Sequence, residues 1–143
     1  MYKSFGHKDA WTLKHIGQLH ADKMFAGGEI KGSGRSIGLV KQCLISSEMK
    51  GVSIEYITIN PRQRFLAHIH HRTEAFLIIA RGSGTIILNG KSIRLKKGDL
   101  VYIPPRTAHG FRTKSNFLEF ISVQRPPVLT SRGKEDLEVV ERP

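Results

Sequence analysis

The chain has 143 residues, 39% hydrophobic and 24% charged, with 23 Lys and Arg against 12 Asp and Glu for a formal charge of +11. That length suits one ordinary domain around a single packed core, and a lone cysteine, Cys43, excludes an internal disulfide. No secretory signal opens the chain, and the longest apolar run, around Phe76 to Ala80, is too short for a membrane helix, so a reducing, cytoplasmic setting without a membrane partner is expected.

Residues 1–36 are mixed and glycine-rich (Gly27, Gly28, Gly32, Gly34), with one short helical turn expected between Trp11 and Leu19; they read as an amino-terminal extension. From Ile37 the texture changes to short β-favouring stretches at Leu39 to Ile45, Val52 to Ile59, Arg64 to His70 and Ala75 to Ala80. Thr85 to Leu88, Ser92 to Leu95, Leu100 to Ile103 and Phe117 to Val123 continue the series. Such spacing predicts an all-β sandwich or barrel over residues 37–125. Asn89-Gly90 is the strongest turn, because both residues tolerate the positive φ of a type I′ hairpin. Gly82 and Gly84 are expected to surround another tight turn, and no strand-to-helix context makes them a phosphate loop. Residues 126–143 form a tail in which Lys134 to Glu141 is either a helical turn or an added edge strand.

His68 and His70 stand at i and i+2, a spacing that puts two side chains on one face only on a strand. With Glu74 and the distant His109 they offer three or four ligands for one divalent metal. Neutral imidazole suits zinc, iron, nickel and copper, while a carboxylate adds oxygen character that suits manganese or iron. Three or four protein ligands leave coordination positions open, which points to a bound guest or to catalysis rather than a closed structural clip. A single strand histidine is more often a hydrogen-bonded polar residue; the shared face is what lifts this set above that reading. His71 points the other way, His15 and His20 fall on different helical faces, and Cys43 reads as a small buried hydrophobe.

The stretch Ala67-His68-Ile69-His70-His71-Arg72-Thr73-Glu74 through Arg81-Gly82 resembles the first motif of the cupin superfamily. Gly98-Asp99-Leu100-Val101-Tyr102-Ile103-Pro104-Pro105-Arg106-Thr107-Ala108-His109 resembles the second, with the Asn89-Gly90 hairpin between them. The resemblance covers roughly Leu39 to Gln124 and implies a double-stranded β-helix, or jelly-roll barrel, with His68, His70 and His109 at the family's ligand positions. The run His70 to Glu74 and the tail around Lys134 to Glu138 are also similar to the cupin domain of type II mannose-6-phosphate isomerases. Three positions depart from the pattern. The family's ligand glutamate falls at Ala75, one residue after Glu74, so Glu74 reaches the metal only if a β-bulge at Arg72-Thr73 turns it inward; otherwise the site has three histidines. Arg106 stands where glycine is common, and Thr113 where asparagine is common.

The resemblance and the histidines together predict a divalent metal (Zn, Mn, Fe or Ni) at the base of an apolar pocket lined by Leu66, Phe76 to Ile79, Tyr102 and Phe111. Arg106 is either an anion-binding group at the mouth or a solvated loop arginine. Two functions compete. In one, an enzyme uses the metal as Lewis acid on an anionic sugar-like or acid substrate, as an isomerase, epimerase or dioxygenase, with Glu74 as base if it is not a ligand. In the other, the barrel is a binding or sensing module that turns nothing over. A homodimer in which exposed strands from Leu39 to Ile59 and the amino-terminal extension pair across a twofold axis is expected, and nucleic acid is a disfavoured partner because the basic residues are scattered.

Overall fold

The structure is a computed structural model that describes residues 11–28, 35–129 and 135–141; Gly32, Gly34 and Lys134 lie outside the described residues. A 3-10 turn at Ile16–Gln18 precedes β1 (Ala21–Met24), β2 (Gly38–Leu44), β3 (Ser53–Ile59), β4 (Arg64–Ile69) and β5 (Glu74–Leu88). β6 (Lys91–Lys96), β7 (Leu100–Ile103), β8 (His109–Arg112), β9 (Leu118–Arg125) and β10 (Glu138–Val139) complete the order. The fold is all-β and antiparallel, a curled sheet of the jelly-roll kind.

β5 organises it. Its first half pairs with β7 and β9, and β9 leads on through β3 and β2 to β1. Its second half pairs with β6 and β8, and β8 leads on through β4 to β10. Gly82 sits where the strand passes between these two halves, with φ of 79°. A Cβ there would meet the Phe117 carbonyl oxygen at 2.0 Å. The glycine pair expected to flank a turn therefore lies inside one continuous strand, where Gly82 permits a bend and a close backbone approach.

The inner face is set by period-two alternation. Ser53, Ile57 and Ile59 of β3, Ala75, Leu77 and Ile79 of β5, and Leu118, Phe120, Ser122 and Gln124 of β9 are buried. Phe111 stacks on Phe120 at 4.8 Å and so joins the two halves across the core. Two strands, β1 and β8, differ from expectation. β1, from the amino-terminal extension, covers β2, and β9 takes β3, so of the segments expected to build a homodimer β1 is the one at the end of the strand order among the described residues. β8 escaped notice because His109, Gly110 and Phe111 are buried in succession, with no alternation to read. The charged tail, for which two forms stood open, supplies an edge strand, β10, against β4. Among the described residues no helix is long and apolar enough to cross a membrane.

Candidate metal centre

β4 and β8 place the histidines. A register shift between Phe65 and His68 brings His68 directly across from His109, and His70 follows two residues on, just past the end of β4. The ring centroids are 4.2 Å apart for His68 and His109, and 5.0 Å from each of these to His70. Ligand nitrogens of the three rings lie within 4.8 Å of one another. First-row metal–imidazole bonds of about 2.1 Å allow nitrogens up to about 4.2 Å apart to share one ion, so small side-chain torsions close the set. The rings are buried at 2%, 8% and 4% exposure, and Phe65 stacks on His68 at 4.6 Å.

The tautomers follow from the hydrogen bonds. Nδ1 of His68 faces the Leu66 carbonyl at 2.7 Å, Nδ1 of His70 the Asp136 carbonyl at 2.7 Å, and Nδ1 of His109 the Thr107 carbonyl at 2.9 Å. A carbonyl oxygen only accepts, so each Nδ1 carries the proton and donates it, which leaves every Nε2 with a free lone pair. Burial pushes all three imidazoles below their ordinary pKa, His109 to about 4 and His68 well below. Neighbouring imidazoles add to the depression of His68 and His109, while the Asp136 carbonyl and carboxylate partly restore His70. The cluster is neutral near pH 7, the form a metal needs. The residues present fit a divalent ion.

Glu74 is not part of this group. It begins β5 opposite Arg125 of β9, and the alternation that turns Ala75 and Leu77 inward turns Glu74 outward with Phe76. No bulge interrupts the register there. Its carboxylate accepts from Arg125 at 2.7 and 3.0 Å and from the Tyr102 hydroxyl at 2.8 Å. Arg125 first, then Tyr102, hold that carboxyl below the usual carboxylate range. The position aligned with the family's glutamate, Ala75, does face the cavity but brings only a methyl group.

The residues expected to line the pocket divide in the same way. Phe111 and Leu77 line it, whereas Phe76 at 38% and Tyr102 at 56% exposure form a cross-strand pair on the outer face. Leu66 is buried but outside the cavity; the register shift puts Phe65 beside the histidines instead. Arg106 is exposed, with φ of 61°, and its backbone N–H donates to the His70 carbonyl. A left-handed conformation explains why glycine is common at that position. Thr113 ties a loop, accepting from the Gln63 N–H and donating to the Asn60 carbonyl.

Two features of the site lay outside the sequence reading. The carboxylate of Asp136 accepts the N–H groups of His71, Arg72 and Thr73 and the Thr73 hydroxyl, which fastens the carboxy-terminal segment beside His70. No sequence signal announces a contact 66 residues apart. Glu55 lines the same cavity from β3, in phase with Ile57 and Ile59. A charged residue on the apolar face of a strand was a visible signal.

The fold and the buried histidine cluster together define a jelly-roll barrel with a candidate metal site. A family model for the cupin domain matches residues 55–123. An uncharacterised protein of Methanocaldococcus jannaschii is 29% identical over 106 residues, 72% of this chain and 82% of that protein. The polyketide cyclase RemF of Streptomyces resistomycificus superposes with a TM-score of 0.70 at 16% identity, over 92% of this chain and 87% of its own. A predicted oxalate decarboxylase of Thermotoga maritima gives 0.71 at 17% identity, over 81% of this chain and 100% of its own. A cupin-like protein of Thermotoga maritima gives 0.60 at 25% identity, over 72% of this chain and 75% of its own.

Proposed function

We propose that the protein is a metal-dependent enzyme in which His68, His70 and His109 hold a divalent ion, and that it isomerises or epimerises a small oxygen-bearing substrate, or oxidises it with dioxygen. The observation that carries this reading is the convergence of three buried, neutral imidazoles on one cavity, each with Nδ1 pinned to a backbone carbonyl. Burying three polar rings costs solvation that apolar residues would avoid, and a carbonyl holding each Nδ1–H is the arrangement that orients metal-binding imidazoles. A divalent ion would supply Lewis acidity, polarising a carbonyl or carboxylate oxygen. The chain would enclose the substrate between the apolar walls of Leu77, Phe111 and Phe120.

Among the described residues no lysine or arginine lines the cavity. This favours a hydroxy or keto acid, whose charge the ion itself would meet, over a phosphorylated sugar, which calls for an arginine or lysine clamp. The outward position of Arg106 points the same way. We keep a homodimer in this reading, with β1, which ends the strand order among the described residues, as the edge it would use.

The test begins with elemental analysis of protein purified without chelator or a nickel-bearing tag. Keto acids, hydroxy acids and sugar phosphates are then screened with and without oxygen. Turnover that disappears in His68→Ala supports the enzyme. Ligand-induced stabilisation with no product under either atmosphere identifies a non-catalytic binding module instead.

A further inference from the structure

The cavity has a second polar wall. Glu55 of β3, with Ser122 and Gln124 of β9, lines it from the half of the sheet that does not carry the histidines. Glu55 pairs with Gln42 on β2 and with Ser122 on β9. The amide of Gln42 donates to its Oε2 and that of Gln124 to its Oε1, both at 2.6 Å. The orientation of Gln124 is fixed independently: its Oε1 accepts from the Ser53 hydroxyl at 3.1 Å and from the Val128 N–H at 3.4 Å. A backbone N–H can only donate, so the amide nitrogen of Gln124 must turn to Glu55.

Among the described residues, burial and these two amides set the state of this carboxyl, burial first, and no cation compensates it. Burial pushes it above the ordinary glutamate range, and the amides pull the other way. The other titratable groups facing the cavity are the three imidazoles and Glu135 of the carboxy-terminal segment. A carboxylate kept there without a cation costs solvation that a neutral amide would largely avoid. Perturbed acids in clefts are where proton transfer is found.

We infer that Glu55 is the acid–base group of the cavity, touching the ligand held at the histidines from the facing wall and exchanging a proton with it. This rests on the metal reading above, and it gives Glu55 the role that the sequence offered to Glu74, whose carboxylate is on the outer face. The carboxylate takes the proton from an O–H, N–H or carbonyl-adjacent C–H of the ligand. The electron pair stays on the ligand, and the carboxyl later returns the proton; nothing is oxidised or reduced. Fixed by two donors, the group needs no reorientation to do so.

The experiment uses the full chain and acetohydroxamate, an oxygen chelator that also carries an acidic N–H. Cobalt-loaded protein reports by its visible spectrum whether the probe reaches the ion. Zinc-loaded protein with 13C-labelled glutamate reports the state of Glu55. We expect the cobalt spectrum to respond in both wild type and Glu55→Gln. Probe affinity in the variant should fall about ten- to a hundred-fold, the loss of one hydrogen bond to a charged group, while cobalt affinity is unchanged. In the wild type the Glu55 carboxyl carbon should move toward its protonated position as the probe binds. A Glu55 signal that stays still while the cobalt spectrum changes, or equal probe affinity in the variant, overturns the inference and leaves the metal reading standing. A chain that takes up no cobalt, or a cobalt spectrum blind to the probe, overturns the metal reading and this inference with it. If Glu55→Gln fails to fold, the wild-type carboxyl signal decides alone.

Discussion

Burial drives the acids and bases of the cavity in opposite directions: the three imidazoles lose affinity for protons, and Glu55 gains it. Glu55 as a residue is half-buried, but its carboxyl is enclosed between Gln42 and Gln124. With a raised native pKa, the folded chain binds more protons than the unfolded chain at every pH between the ordinary glutamate value and the raised one. The stabilising contribution is complete below the unfolded pKa and is lost as pH rises through the folded pKa. Glu55→Gln should therefore flatten the fall in stability with rising pH over that window, and at neutral pH should be at least as stable as wild type; urea unfolding at a series of pH values measures both. A neutral-pH loss in Glu55→Gln would mean that the carboxylate itself holds the wall together. The histidines were legible because i and i+2 share a face on any strand. Glu74 was not, because its facing depends on how the connection from β4 meets β5, and only the register against β9 fixes that.

Among the elements, the carboxy-terminal segment has the largest effect for its size. The Asp136 carboxylate collects three backbone N–H groups and one hydroxyl, while its carbonyl accepts from Nδ1 of His70. β10 then pairs with β4 at Ile69 and His68. Asp136→Ala should destabilise the fold by about 2–4 kcal/mol, from several lost hydrogen bonds to a charged group. It should also weaken zinc binding about ten- to a hundred-fold, as loosening the segment whose carbonyl orients His70 would do. Competition with a chromophoric chelator measures the second effect, and limited proteolysis of the tail reports its release. Gly82→Ala tests the bend in β5: a Cβ 2.0 Å from the Phe117 carbonyl, on a backbone with φ of 79°, should cost about 3 kcal/mol or more, or prevent folding. The hairpin at Asn89-Gly90 and the strand at Leu100–Ile103 were legible because turn chemistry and alternation are local. β1 and β8 were not, since short strands of mixed polarity are defined by the partner they pair with rather than by their own pattern, and for the same reason the tail that forms β10 left a helical turn open beside an edge strand.

For the whole molecule, the charge of +11 and the cavity are separate matters. Four of the cations, Arg62, Arg64, Arg112 and Lys114, line a surface groove, and Arg64 faces Arg112 across β4 and β8. Added salt will screen that groove far more than an enclosed site. A divalent ion held at the proposed site would act on global stability through its affinity for the folded state alone, because the unfolded chain does not bring residues 68, 70 and 109 together. At a free concentration a hundred times the dissociation constant, the gain is about 2.7 kcal/mol. For a chain of this length that raises the melting temperature by roughly 6–10 °C. Zinc or manganese added to chelator-treated protein should produce that rise, EDTA should reverse it, and 0.5 M NaCl should leave it nearly intact. His109→Ala should abolish it, since His109 is the cross-strand partner of His68 and the proposed ligand contributed by β8. A rise that persists in His109→Ala would place the ion elsewhere than among the imidazoles.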